Sequence, residues 1–213
     1  MIHLDASGPV RTGDDAALAA LAAEFASRGH VRLPGFVTAP FLRQIQADLR
    51  TAPFVPKTHR GIGDELVCWD SVSGDKLTFF MNDPRLFGWV QQITGCGHLG
   101  SFLGRIYRMA AGASHHDSWH SDIGDHRLVA LSANLSEEPY NGGTLIVREE
   151  ARPDTEVALP NTGPGDAVMF RLAKGFEHWI SDVEPGPPKT AWAGWFRSEP
   201  TFLEMLSKKK KAT

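Results

Sequence analysis

The chain has 213 residues, 42% hydrophobic and 22% charged, a formal net charge of −3 and two cysteines, Cys68 and Cys96. That length suits one domain that buries its own core, and that composition excludes a disordered chain. The mild acidity argues against the basic footprint of a nucleic-acid binder, and two cysteines are too few for a secreted disulfide framework, so a reduced cytoplasm is expected.

The opening segment, MIHLDASGPVRTGDD, lacks the basic stretch and apolar run of a signal peptide, and no apolar stretch approaches the ~18 residues a membrane helix needs. No membrane partner is expected. Asp14 to Gly29 reads as a helix with Leu18, Leu21 and Phe25 on one face, acidic residues at its start and Arg28-Gly29 at its end. Val31 to Phe36 reads as a short strand closed by Pro-Gly. APFLRQIQADLRTA is a second helix, with Phe41, Ile45 and Leu49 spaced four apart. PFVPKTHRGIGDELVCWD carries two prolines and two glycines and reads as a surface loop. DPRLFGWVQQITG is a third helix, with Pro84 early and Gly95 at its end.

Strands follow. SFLGRIYRM is one, and in HRLVALSANLS the apolar Val129, Leu131, Ala133 and Leu135 alternate with residues that include Ser132 and Asn134. YNGGTLIVRE and GPGDAVMFR each read as a turn into a strand, and FEHWISDVE and KTAWAGWFRS are two more. Helices first and strands after predict an α+β protein with a jelly-roll or barrel β part. The final LSKKKKAT reads as a solvated tail.

The stretch HHDSWHSD, from His115 to Asp122, holds two overlapping His-x-Asp pairs: His115 with Asp117, and His120 with Asp122. A divalent iron poised for oxygen chemistry is commonly held by two histidines and a carboxylate on one face. On an extended strand, alternate residues point the same way, so either pair suits the first two ligands. The third must come from elsewhere. His178 stands out among the other histidines because it lies well downstream in strand-like FEHWISDVEPG, where a jelly roll folds back. With nine histidines in the chain, one His-x-Asp arises readily by chance, so the order of its surroundings carries the argument.

From about Arg105 to Arg197 the sequence resembles the iron(II)- and 2-oxoglutarate-dependent oxygenases, in particular their prolyl-hydroxylase-like branch. RIYRMAAG supplies a tyrosine, Tyr107, before the ligands, and SWHSD supplies His-x-Asp. Gly142 and Gly143 form the Gly-Gly turn, and GPGDAVMF the Gly-Asp before a strand ending in Phe. His178 is followed by Val183 and Gly186, and Lys189 precedes the Trp195-Phe196 pair by six positions. Lys189 stands where arginine is more usual and lies further from His178 than in close relatives, so EPGPPK is expected to make a longer turn. Six pieces occur in the family's order over a little under half of the chain.

The resemblance implies a double-stranded β-helix (jelly roll, cupin-like) core with N-terminal helices packed on it. It implies a single domain over 1–213, with helical support at about 14–95, the core at about 100–198 and a basic tail at 207–213. It selects His120 and Asp122, which lead into the strand from Arg127, with His178, as the metal-ligating and catalytic set. His115, His116 and Asp117 then read as loop polars. It implies Fe(II), 2-oxoglutarate and O2 as cofactor and co-substrates, with ascorbate as a stimulant. Tyr107 and Lys189 are expected to bind the far carboxylate of 2-oxoglutarate, with Arg197 as fallback for the lysine, and Trp195 to wall the pocket. Related halogenases carry a small residue where Asp122 stands, so hydroxylation or another oxidation is expected. The substrate is expected to be an amino acid, peptide or small natural product, reached by PKTHRGIGDELVCWD and Arg148, and not a nucleic acid. The competing reading is a cupin-like metal protein: an isomerase, a 2-oxoglutarate-independent dioxygenase or a binding module.

Overall fold

The computed structural model describes residues 1–160 and 163–211. Four helices precede most of the strands. Helix α1 (Asp15–Arg28) begins where the Asp14 carboxylate accepts from the Ala17 N–H at 3.1 Å, and ends at left-handed Gly29. Helix α2 (Ala39–Leu49) starts with Pro40 in its first turn and buries Phe41, Leu42, Ile45 and Leu49. Helix α3 (Val72–Met81) is capped by Ser71, and α4 (Pro84–Thr94) by Asp83 and Gly95. No described helix is long and apolar enough to cross a membrane.

The early strands are β1 (Ile2–Asp5), β2 (Gly8–Arg11), β3 (His30–Leu33), β4 (Val55–His59) and β5 (Gly63–Cys68). The later ones are β6 (Ser101–Met109), β7 (Arg127–Asn134), β8 (Leu145–Glu149), β9 (Arg152–Leu159), β10 (Ala167–Arg171), β11 (Phe176–Ile180) and β12 (Lys189–Arg197). A seven-stranded antiparallel sheet runs β3-β10-β7-β12-β6-β5-β4, a smaller sheet runs β11-β8-β9, and β1 and β2 form a separate hairpin. Together the two larger sheets make the expected double-stranded β-helix.

Period-2 alternation divides the large sheet into two faces. Phe102 and Ile106 of β6, Val129, Leu131 and Ala133 of β7, Met169 of β10 and Trp192 and Phe196 of β12 are buried with the helices. The Phe102 ring lies 5.1 Å from Trp192 and 4.8 Å from Phe196, centroid to centroid. Each such buried large side chain is worth roughly 1.5–3 kcal/mol. The opposite face turns Arg105, Tyr107 and Met109 of β6, Ala130 and Ser132 of β7 and Ala193 and Trp195 of β12 into a cavity. The alternation expected in β7 is therefore real, with its apolar phase under the helices and the phase of Ser132 toward the interior.

The segment expected as a surface loop is instead the β4–β5 hairpin, at one edge of the large sheet. Pro56 is tolerated because β4 is the edge strand, where no further partner needs its N–H. Hairpin β1–β2, helix α3 and strand β9 also went unrecognised. Helix α3 carries Gly74 and an exposed Phe79, which blur its apolar stripe. The expected frayed tail is helical as far as Lys211, within helix α5 (Phe202–Lys211), while Ala212 and Thr213 lie outside the described residues.

Candidate metal centre

His120 and His178 are brought together by the backbone. The His120 N–H donates to the His178 carbonyl at 3.0 Å, and the His178 N–H donates back at 2.9 Å. This single bridge ties the loop between β6 and β7 to strand β11. It sets the two imidazoles 4.4 Å apart, centroid to centroid. Two residues on, Asp122 places Oδ2 3.3 Å from His178 Nε2. One ligand atom from each of His120, Asp122 and His178 lies within 4.8 Å of the other two, and among the described residues no other such group of three occurs. His120 and Asp122 do not lie on a regular strand, as the sequence suggested, yet their side chains converge because the bridge keeps the backbone extended there.

The surroundings orient this set. The Ser118 carbonyl lies 2.7 Å from His120 Nδ1, which assigns the proton to Nδ1 and leaves Nε2 free as a ligand. Asp117 accepts the Ile180 N–H at 2.8 Å and sits 3.5 Å from His120 Nδ1, pinning the ligand loop to β11. Trp195 Nε1 donates to Asp122 Oδ2 at 2.7 Å, and Arg127 Nη1 donates to Oδ1 at 2.9 Å. The Arg127 guanidinium stacks 3.8 Å over the Trp195 ring. Burial opposes the charge of Asp122, but hydrogen bonds from His178 and Trp195 and the nearby imidazoles outweigh it, drawing the carboxyl down to about 2. Two imidazoles and an ionised carboxylate on one side of a cavity are the donor set that suits a divalent iron with open positions.

The cavity measures about 240 Å³. Tyr107, Asp122, His120, His178 and Trp195 all line it, as do His59 and Glu65 from the β4–β5 hairpin. Lys189 lines a small hollow that adjoins it, since Ser132 and Leu145 border both. Lys189 is 3% exposed, its Nζ donates to the Gly143 carbonyl at 2.7 Å, and it lies 5.6 Å from the Tyr107 ring centroid. No carboxylate among the described residues pairs with it. Burial pushes its ammonium down to about 8, against the attraction of Asp117 and Glu65. Burial likewise pushes the Tyr107 phenol far above its ordinary range. A buried lysine with no carboxylate partner beside the cavity is suited to the far carboxylate of a dicarboxylate.

The remaining candidates fall elsewhere. Arg197 Nε donates to the Asp125 carbonyl at 2.7 Å, outside the cavity lining. Arg148 pairs with Glu177 at 2.6 Å, stacks 3.7 Å over Trp119 and borders a second cavity behind His178. His115 accepts the Ala110 N–H at 3.0 Å and shapes its own loop. His116 and Asp117, expected as loop polars, line the cavity, His116 pairing with Asp64 across a backbone bridge. Sequence reasoning missed Arg127, Arg105 and the positioning role of Asp117. For Arg105 a signal existed, since it stands two residues before Tyr107 and so shares its face.

A jelly roll with two histidines and a carboxylate at its cavity is the arrangement of a non-haem metal-binding class. Within that class, residues 104–197 match the 2OG-Fe(II) oxygenase superfamily, a domain of 2-oxoglutarate-dependent dioxygenases that use Fe(II), 2-oxoglutarate and O2. No curated protein matches the chain in sequence. Among solved structures, an oxidoreductase of the 2OG-Fe(II) oxygenase family from Burkholderia pseudomallei is 17% identical with a TM-score of 0.67, covering 94% of this chain and 98% of that one. A Pseudomonas putida prolyl-4-hydroxylase is 22% identical with a TM-score of 0.65, covering 86% and 100%. The epimerase SnoN, solved with Fe3+, alpha ketoglutarate and nogalamycin RO, is 16% identical with a TM-score of 0.64, covering 91% and 90%. The fold is thus prolyl-hydroxylase-like.

Proposed function

We propose that residues 1–213 act as one domain that binds Fe(II) through His120, Asp122 and His178 and hydroxylates, or otherwise oxidises, an amino acid, a peptide or a small natural product. The observation that carries this reading is the backbone bridge that sets the two imidazoles beside the Asp122 carboxylate. Bound iron, with 2-oxoglutarate and O2, supplies the oxidising power for C–H attack, and 2-oxoglutarate leaves as succinate and CO2. The chain's own residues do the rest. Lys189 and Tyr107 hold the far carboxylate of 2-oxoglutarate. Trp195 and Arg127 hold Asp122 in place, and Asp117 fixes the ligand loop.

Asp122 would give bound iron a carboxylate where related halogenases carry a small residue, which favours oxygen transfer or desaturation over halogenation. At about 240 Å³ the cavity is below the ~300–1,000 Å³ typical of drug-sized ligands, so a small substrate or one end of a larger one enters it. The free thiols Cys68 and Cys96 support a reduced cytoplasmic setting. The test is to incubate the enzyme with Fe(II), 2-oxoglutarate, ascorbate, excess chloride and pooled amino acids, peptides and small natural products. Product gaining one oxygen or losing two hydrogens, with succinate formed one-for-one, is the expected result. A chlorinated product contradicts the role of Asp122, and product without succinate favours the cupin-type alternative.

A further inference from the structure

Strand β6 carries a second, half-buried cation on the cavity face. Arg105 stands opposite Ala193 in the β6–β12 ladder, whereas Lys189 stands opposite Met109. Four residues of strand separate the two levels, about 13 Å at ~3.3 Å per residue. Lys189 therefore stands at one level of the sheet, beside the cavity, and Arg105 at another, nearer to where Trp195 touches Asp122. The Arg105 side chain is 19% exposed and lies 5.6 and 5.9 Å from the centroids of Tyr107 and Trp195.

The arrangement around this guanidinium is asymmetric. Its Nε donates to Glu65 Oε1 at 2.5 Å, and the same carboxylate oxygen is 2.8 Å from His59 Nε2. The Nη side has only a 3.5 Å approach to His59 Nε2, a nitrogen already engaged with Glu65. Neither Nη atom hydrogen-bonds to a carbonyl or carboxylate among the described residues. An arginine carries five donors in a planar fork, and buried donors are normally satisfied. Here Nε is anchored, Arg105 lines the cavity within the field of Asp122, and its planar fork is matched to a planar anion.

We propose that Arg105, held in place by Glu65 and His59, is the subsite for a carboxylate on the substrate, which makes the substrate a small carboxylic acid, free amino acids included. This deepens the proposed function and rests on it, because the subsite matters to catalysis only if the neighbouring triad holds iron.

The test uses holoenzyme saturated with Fe(II) and 2-oxoglutarate. The probes are a pool of small carboxylic acids that includes the standard amino acids, and a pool of the matched carboxamides. Thermal unfolding without O2 and succinate release with O2 are read for each pool. The acid pool is expected to raise the unfolding temperature and the succinate rate, and the amide pool to do neither. In Arg105→Gln the acid response should weaken by roughly 100-fold in concentration, as when one partner of a buried charge pair is truncated. If that variant fails to fold because Glu65 is stranded, Arg105→Gln with Glu65→Gln removes both charges, and Arg105→Lys keeps the charge without the fork. Neither should restore the acid preference. Equal response to acids and amides in the wild type, or an acid preference that survives in the folded variants, overturns the proposal. Failure of the wild type to bind iron or release succinate strikes the proposed function instead, and leaves acid-selective stabilisation as a separate reading of the subsite.

Discussion

At the scale of single residues, the site is built from charges whose burial is offset to different degrees. Asp122 has two donors of its own and stays ionised at any physiological pH. Lys189 has a carbonyl but no carboxylate, and its ammonium is held only up to about pH 8. Its folded value is depressed below the ordinary 10.5, so the free enzyme releases this proton through pH 8 while an unfolded chain keeps it. Bound 2-oxoglutarate, in the proposed pose, restores the charge. Its affinity should therefore be constant below pH 8 and fall by about tenfold per pH unit above it. Titration calorimetry on the iron-loaded protein checks this. In Lys189→Arg, whose guanidinium keeps its proton, the pH dependence should vanish even if the affinity is lower. A wild-type affinity that stays flat to pH 10 would remove Lys189 from the role.

At the scale of elements, the turn before β8 fixes the anchor's partner. Gly142 and Gly143 both have positive φ, at 67° and 57°, and the Gly143 carbonyl receives the Lys189 ammonium. A Cβ on Gly142 would lie 2.1 Å from the Asp182 carbonyl, where Gly142 bridges Val183. Gly142→Ala should cost at least about 2 kcal/mol by strain and overpacking together, lowering the denaturation midpoint, and should raise the Michaelis constant for 2-oxoglutarate. An unchanged midpoint would mean the turn has room that its geometry denies. The Gly-Gly pair was legible in sequence because few residues adopt such a turn. So were α1 and α4, whose apolar spacing and caps agree, and α2, by its apolar spacing and Pro40. The β4–β5 hairpin was not, because its exposed edge strand, VPKTH, lacks the apolar alternation that marks a half-buried strand.

At the scale of the whole molecule, one sheet serves two purposes through its alternation. One face holds Trp192, Phe196 and Phe102 against the helices, while the other presents Lys189, Trp195, Tyr107 and Arg105 to the interior. The candidate ligands and their order could be picked out from the chain, since a metal demands particular side chains. Their supports were not, because Trp195 meets Asp122 from 73 positions away and Arg105 meets Glu65 from 40, and such pairings depend on strand register. The central claim is that His120, Asp122 and His178 hold the iron. It is tested by anaerobic reconstitution of the wild type and of His178→Ala, His120→Ala and His115→Ala, with bound iron counted per folded chain. The account predicts one iron in the wild type and in His115→Ala, and loss of tight binding in His178→Ala and His120→Ala. Iron retained by His120→Ala but lost from His115→Ala would contradict it.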